Sequence, residues 1–462
     1  MSNPTTAQKT TGILSGSLWR AVPLFALPVA ATGILEQLSN LVDVFVIGHF
    51  SADGASLGMA AVGANSPIVS LLINLFVGIA IGTNVVVANA VGAGDEKTVR
   101  KAVHSSVLLA AIGFGVTIVG ELVAEPLLAA LQVPDETMGE ALIYLRIFLL
   151  GMPAVLLYNF VASVFRSVGV TKMPLFALAI SAVLNVALDA AFVAVLGWGT
   201  MGVAVATVLC YCVSAAFLTA QLLRADDLIR LDPRELRIDG PVAREIIRIG
   251  MPAGAQGAIF SLANIVIQGC INQLGTTVMA GSAAALSMEQ VFYNLINSVC
   301  QACTTFVGQC NGAGDLPRCR RVLKVCVVEG LVCTGLVALF GVLFGQAIIH
   351  VFNTDPEVIA IGYLRVCVIL PAHLFSSVYE NCSGYLRGFG ISLVPAALTM
   401  LGVCGIRLLW VALVFPAAPS FPTIMVVYPI SLATTAALMF CALVRYRPAQ
   451  RAALGAAPAA SR

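Results

Sequence analysis

The sequence predicts an all-α integral membrane protein, with twelve transmembrane helices in two six-helix lobes related by pseudo-two-fold symmetry along the membrane normal. Three observations carry that prediction. The first is composition: of 462 residues, 59% are hydrophobic and only 10% are charged, and the mean hydropathy is +0.96. A soluble domain carries about a quarter charged residues, so this composition cannot clothe a water-facing surface. The second is the recurrence of apolar runs, each long enough for the ~20 residues that a bilayer core demands. The third is an internal repeat, whose two copies keep an offset of 218–224 residues.

Bounded by Gly, Pro and charge, the apolar runs place spans at roughly 21–47, 57–90, 99–124, 138–165, 173–196, 202–224, 245–273, 279–310, 318–345, 357–384, 391–415 and 423–445. Backbone groups in lipid must be satisfied within the segment, which makes each run a helix. Residues 1–20 are polar and lack a small-residue cleavage site, so they read as a cytoplasmic tail with the first span as signal anchor. The layout is then an N-lobe over 21–224, a cytoplasmic linker over 225–244, a C-lobe over 245–445 and a cytoplasmic tail over 446–462.

Charge sets the expected orientation. Lys97, Arg100 and Lys101 follow span 2, while Arg166 and Lys172 flank the 4–5 loop. Arg230, Arg234 and Arg237 lie in the linker, Arg318, Arg320, Arg321 and Lys324 follow span 8, and Arg445, Arg447 and Arg451 follow span 12. Alternate loops carry Asp53, Asp135 with Glu136, and Asp355 with Glu357. By the positive-inside rule both termini are cytoplasmic. The net charge of +2 is too small to suggest a nucleic-acid partner. Eleven of the 13 cysteines follow residue 250, and spacings such as Cys319–Cys326–Cys333 are helical. They read as small buried hydrophobes rather than as disulfides or metal ligands.

The repeat pairs Val91-Gly92-Ala93-Gly94-Asp95 with Asn311-Gly312-Ala313-Gly314-Asp315, and Tyr144-Leu145-Arg146 with Tyr363-Leu364-Arg365. It also pairs Arg166-x-x-Gly169 with Arg387-x-x-Gly390, and Pro28 and Asn40 with Pro252 and Asn264. Six spans per half is an even number, so the halves share one orientation, and a substrate site is expected between them near the midplane. In each Gly-Ala-Gly-Asp segment, Gly ends one helix in a left-handed conformation and Asp caps the next.

Ionisable residues inside spans are expensive and mark functional candidates. Span 1 carries Glu36, Gln37, Asn40 and Asp43, with Glu36, Asn40 and Asp43 on one face. Span 5 carries Asn185 and Asp189 one turn apart, and span 6 carries Thr207. Asp43, Asn185, Asp189 and Thr207 together would make an oxygen cage for Na⁺. They would equally make a proton site, because desolvation and a neighbouring like charge both favour a bound proton. The C-lobe has Ile267 where Asp43 stands, so a cation site would be asymmetric. Its polar stripes are Asn264, Gln268 and Asn272 on span 7, Glu289, Tyr293 and Asn294 among Gln290, Asn297 and Gln301 on span 8, and His373, Ser377 and Glu380 on span 10. These stripes predict a polar cavity whose acids favour cationic substrates, with Arg and Lys gathered at the cytoplasmic face. Arg407 either pairs with one of the acids or sits near the cytoplasmic interface.

Taken in order, these motifs resemble the multidrug and toxic compound extrusion (MATE) family over nearly the whole chain. The resemblance rests on Asn40-Leu41-Val42-Asp43 with Gly48, both Gly-Ala-Gly-Asp loops, Phe165-Arg166-x-x-Gly169 with Leu386-Arg387-Gly388-x-Gly390, and Leu184-Asn185-x-x-Leu188-Asp189. It implies a cation-coupled antiporter with two six-helix lobes and no cofactor beyond the coupling H⁺ or Na⁺, which Asp43, Asn185, Asp189 and Thr207 would bind. One branch of the family also uses an acid on the seventh helix. Here that stretch reads Ala258-Ile259-Phe260-Ser261, which favours the DinF-like side. The expected protein is a monomeric exporter of small cationic or amphipathic compounds in the bacterial inner membrane, working by alternating access. The alternatives are a lipid-linked oligosaccharide flippase of the same superfamily, which would need a strongly cationic cavity, and an intramembrane enzyme, for which His350 and His373 lack matching partners.

Overall fold

The computed structural model describes residues 11–50, 55–131, 133–225 and 228–449. Asp53 and Arg451, two of the charges used for orientation, lie outside the described residues, as do the outer parts of both tails. Among the described residues the structure is helical throughout, without strands. After a short turn at Thr11–Leu14 come α1 (Leu18–Phe50), α2 (Ala55–Ala93) and α3, in two pieces (Glu96–Leu109 and Ile112–Ala130). Next is α4, also in two pieces (Asp135–Leu150 and Met152–Ser167) that meet at 46°. Then follow α5 (Lys172–Asp189, ending in a π-helical turn over Ala190–Val195) and α6 (Gly199–Leu223). The second series runs α7 (Gly240–Asn272), α8 (Thr276–Gly312), α9 (Leu316–Phe352) and α10 (Pro356–Gly388). It closes with α11 (Leu393–Thr399, a π-helical turn over Met400–Gly405, then Ile406–Leu413) and α12 (Phe421–Tyr446).

Ten of these are long and apolar enough to cross a bilayer, and the bent α4 makes an eleventh. The remaining one, α8, is 37 residues long and therefore ample in length. Its polar stripe is what dilutes its apolar character. Leu122, Val183, Val195, Leu343 and Val351 stand more than three-fifths exposed, as lipid-facing side chains do.

The helices break and start where local chemistry dictates. Gly94 and Gly314 have φ of +69° and +74°, a region that other residues enter only at a cost. The carboxylate of Asp95 then accepts from the Thr98 amide at 3.1 Å and the Thr98 hydroxyl at 2.6 Å, capping α3. Those bonds hold the Asp95 carboxyl below its usual range. Asp315 caps α9 in the same way, accepting from the Arg318 amide at 3.0 Å. Both Gly-Ala-Gly-Asp segments are thus stop–start signals.

The described chain divides into two compact units. The first comprises Ala31–Val87 and Asp95–Gly250; the second comprises 11–30, Ala88–Gly94 and 251–449. The boundaries cut α1, α2 and α7 rather than the linker, because both chain halves exchange the start of their first helix. In the second unit Val22, Phe25, Ala26 and Val29 of α1 pack with Val299, Phe306 and Val307 of α8 and Val322 of α9. The Phe25 and Phe306 rings meet edge-on at 5.4 Å. In the first unit Ala243 and Ile246 of α7 join the core of Ile79 and Ala80 of α2. A Cβ on Gly82 or Gly250 would collide with the facing backbone, so both glycines permit this crossing.

The linker is strapped to the start of α3. Lys101 pairs with Asp239 at 2.9 Å, the Asp239 amide donates to Ser105 Oγ at 3.0 Å, and the Asp232 amide to His104 Nε2 at 3.1 Å. The Lys101 ammonium beside it holds the Asp239 carboxyl below its usual range.

Candidate cation site and the buried polar groups

In the first unit α1, α5 and α6 bring four predicted side chains together. Asp43, Asn185 and Asp189 are 5%, 4% and 0% exposed. The Thr207 hydroxyl donates to Asp43 Oδ2 at 3.3 Å, and Asn185 and Asp189 also lie within hydrogen-bonding reach of the Asp43 carboxyl. The contacts are nevertheless incomplete. Asp43 Oδ1, Asn185 Oδ1 and both carboxylate oxygens of Asp189 are buried and receive no hydrogen bond. Two ionised carboxylates have no hydrogen to share, so Asp43 and Asp189 can meet each other only as acceptors. Buried polar groups are normally satisfied, and a proton or a small hard cation is the kind of partner that would satisfy this set. A π-helical turn starts directly after Asp189, a local irregularity that is frequent at functional sites in general.

Tyr144 of α4 is a neighbour to which the sequence assigned no role. It is buried among Val46, Ile47, Val193 and Val203, within electrostatic reach of both Asp43 and Asp189. Its signal was present in the Tyr-Leu-Arg repeat, but neither composition nor spacing tied it to the acids. Glu36 and Gln37 of α1 are half-buried, whereas Asn40 is exposed and does not join Asp43. Glu36 instead lies within electrostatic reach of Arg166, Tyr158 and Tyr211. The Tyr158 hydroxyl and Arg166 Nε are buried without a hydrogen-bond partner.

In the second unit the acids of the predicted polar wall are accompanied by buried arginines. Arg365, Arg387 and Arg407 are all buried, at 3%, 6% and 2% exposed. Glu289 is not a free acid: Arg365 Nη2 pairs with it at 2.8 Å, and His373 Nε2 stands 3.7 Å from its other oxygen. Arg365 also donates to Ser282 Oγ at 2.7 Å. Tyr293 donates to Glu380 Oε1 at 3.2 Å. Gln268 donates to Asn272 Oδ1 at 2.8 Å along the same helix, and Asn294 is half-buried. Arg387 donates to Gln256 Oε1 at 2.7 Å. Among the described residues Arg407 pairs with no acid; it donates to Ser431 Oγ at 3.3 Å and Asn264 Oδ1 at 3.4 Å. Identity and spacing reveal that an Arg is in a span but not which acid it meets, because partners separated by 76 to 143 residues meet only in the fold.

The fold and its repeat have counterparts among known proteins. The family model described as MatE matches the chain twice, over residues 28–191 and 252–413, one copy in each half of the repeat. A probable multidrug resistance protein NorM of Thermotoga maritima is 27% identical over 83% of this chain and 82% of its own length. The multidrug export protein MepA of Staphylococcus saprophyticus is 21% identical over 89% of this chain and 94% of its own. Among solved structures, a MATE protein in its bent conformation superposes with a TM-score of 0.88 at 19% identity, covering 98% of this chain and all of that one. A MATE transporter in an outward-facing conformation superposes with the same TM-score at 18% identity. On the twofold family match, the chain belongs to the MatE family, whose members are multi-pass membrane transporters rather than enzymes.

Proposed function

We propose that the chain is an exporter of small cationic or amphipathic organic compounds, driven by H⁺ or Na⁺ that binds at Asp43, Asn185, Asp189 and Thr207. The observation that carries this reading is the set of four buried oxygens on Asp43, Asn185 and Asp189 that receive no hydrogen bond. Leaving two ionised carboxylates in mutual contact away from water is unfavourable, so the empty site and the cation-loaded site must differ in free energy and in preferred conformation. Coupling requires only that cation and cargo favour different conformations of the carrier. The names of the relatives, several of them multidrug resistance or export proteins, support the choice of cargo. The protein acts as a monomer in the bacterial inner membrane with both termini cytoplasmic, and uses no cofactor beyond the coupling ion.

The test is dye efflux by the purified protein in proteoliposomes, with H⁺ and Na⁺ gradients imposed separately. Wild type is expected to respond to one of the two gradients, which names the ion. Asp43→Asn and Asp189→Asn each keep the shape but remove a charge, and each is expected to lower gradient-driven efflux by about tenfold or more, as loss of a charged ligand does. Wild-type rates in both variants would remove the site from the mechanism.

A further inference from the structure

The two units hold opposite charges among corresponding helices. In the first, the carboxylates of Asp43 and Asp189 lie among α1, α5 and α6, the first, fifth and sixth helices of that half. In the second, α7, α11 and α12 are the first, fifth and sixth, and they enclose the guanidinium of Arg407. At the offset of 221 that Arg166/Arg387 and Gly169/Gly390 set for these helices, Arg407 falls on Val186, one turn before Asp189, and Tyr428 falls on Thr207. Both fifth helices carry a π-helical turn, after Asp189 in the first half and before Arg407 in the second.

We infer that this α7–α11–α12 site recognises a carboxylate or phosphate group on the transported compound, with Arg407 as its ligand. The guanidinium is 2% exposed, and among the described residues it forms no ion pair. Its hydrogen bonds go to neutral oxygens, at 3.3 Å on Ser431 and 3.4 Å on Asn264, both long for a charged donor. Tyr428 lies beneath it at 4.2 Å from ring centroid and Phe260 at 5.6 Å, contacts that fix the plane of the fork without neutralising it. Glu380 does not serve as its counter-ion by contact, since Tyr293 engages Oε1 and Cys300 approaches Oε2 at 3.8 Å. A buried arginine without an acid is unfavourable unless something supplies the negative charge. The planar fork suits a two-oxygen anion held side-on. Phe260 and Asn264, both half-buried, bring α7 against the same guanidinium. A compound carrying both a positive and a carboxylate group therefore fits this protein better than a simple cation does. The choice of a transported molecule as the source of the anion rests on the export reading above.

The experiment is equilibrium binding to the full-length protein in detergent, with no gradient imposed, of two dyes that differ in one group. Rhodamine 110 carries a free carboxylate and rhodamine 123 its methyl ester. Wild type is expected to bind rhodamine 110 about tenfold more tightly, the scale of one charge-assisted contact, and Arg407→Gln is expected to abolish the difference. No preference in wild type, or the same preference in Arg407→Gln, would overturn the inference. Should Arg407→Gln fail to fold, competition on wild type decides. Benzoate displacing rhodamine 110 better than benzamide supports the site, and equal displacement overturns it. Displacement by chloride or inorganic phosphate as effectively as by benzoate overturns it as a cargo site, leaving only a free-anion site. Because binding is read without ion gradients, loss of gradient-driven efflux and loss of carboxylate preference are separate results.

Discussion

At Glu289 a carboxylate that looks like a free cavity acid in sequence is tied into a pair with Arg365 at 2.8 Å, with Ser282 completing the guanidinium contacts. Such a pair contributes little net stability over an apolar substitute, yet losing one member leaves a buried charge without its partner. Arg365→Met is therefore expected to destabilise the protein by about 3–5 kcal/mol, read as a lower melting temperature and aggregation on gel filtration in detergent. Combining it with Glu289→Met is expected to restore most of that loss. A double variant as unstable as the single one would show that Arg365 acts through something other than Glu289. The same logic runs the other way at Asp43 and Asp189, where three of the four carboxylate oxygens accept no hydrogen bond among the described residues and no arginine pairs with them.

At the scale of helices, glycine does two separate jobs in one motif. Gly94 and Gly314 take left-handed backbone at the turn, whereas Gly92 and Gly312 sit where backbones cross in the second unit. A Cβ on Gly92 would strike the Gln309 carbonyl, and one on Gly312 the Asn89 carbonyl. Beside the crossing, Asn311 donates to Asn89 Oδ1 at 2.7 Å and Asn89 donates to the Gly388 carbonyl at 3.0 Å. Gly312→Ala is thus expected to destabilise by about 1–3 kcal/mol or more, the range for overpacking a close contact. Gly115→Ala in α3, where a Cβ meets nothing within 4 Å, is expected to be neutral or to stabilise by up to about 1 kcal/mol through helix propensity. Thermal unfolding in detergent compares the two; equal effects would refute the crossing as the reason for Gly312.

For the molecule as a whole, the distribution of loop charge makes a prediction that needs no side-chain geometry. The linker and the 2–3, 4–5 and 8–9 loops carry the Lys and Arg, and the opposite loops carry the acids. A C-terminal fusion to green fluorescent protein is expected to fluoresce in bacterial cells and a fusion to alkaline phosphatase to be inactive. Active phosphatase would invert the topology and, with it, the direction assigned to transport.

The sequence by itself determined the class of the molecule, its helices, its repeat and the first-half cluster of Asp43, Asn185, Asp189 and Thr207. Each of these is written in local pattern: apolar run length, Gly and Pro punctuation, and polar residues one turn apart on a helix. The stop–start role of Gly94-Asp95 and Gly314-Asp315 was legible for the same reason. What the tertiary structure decided is everything that depends on which helix meets which. It placed Tyr144 beside the acids and moved Asn40 away from them. It joined Glu289 to Arg365, and it buried Arg387 and Arg407 against neutral partners. It also regrouped the start of α1 with α8 and α9, and the start of α7 with α2. Helical periodicity orients a side chain on its own helix, but the neighbour it finds there is set by packing between segments far apart in the chain, and charge compensation in a low-dielectric interior follows that packing.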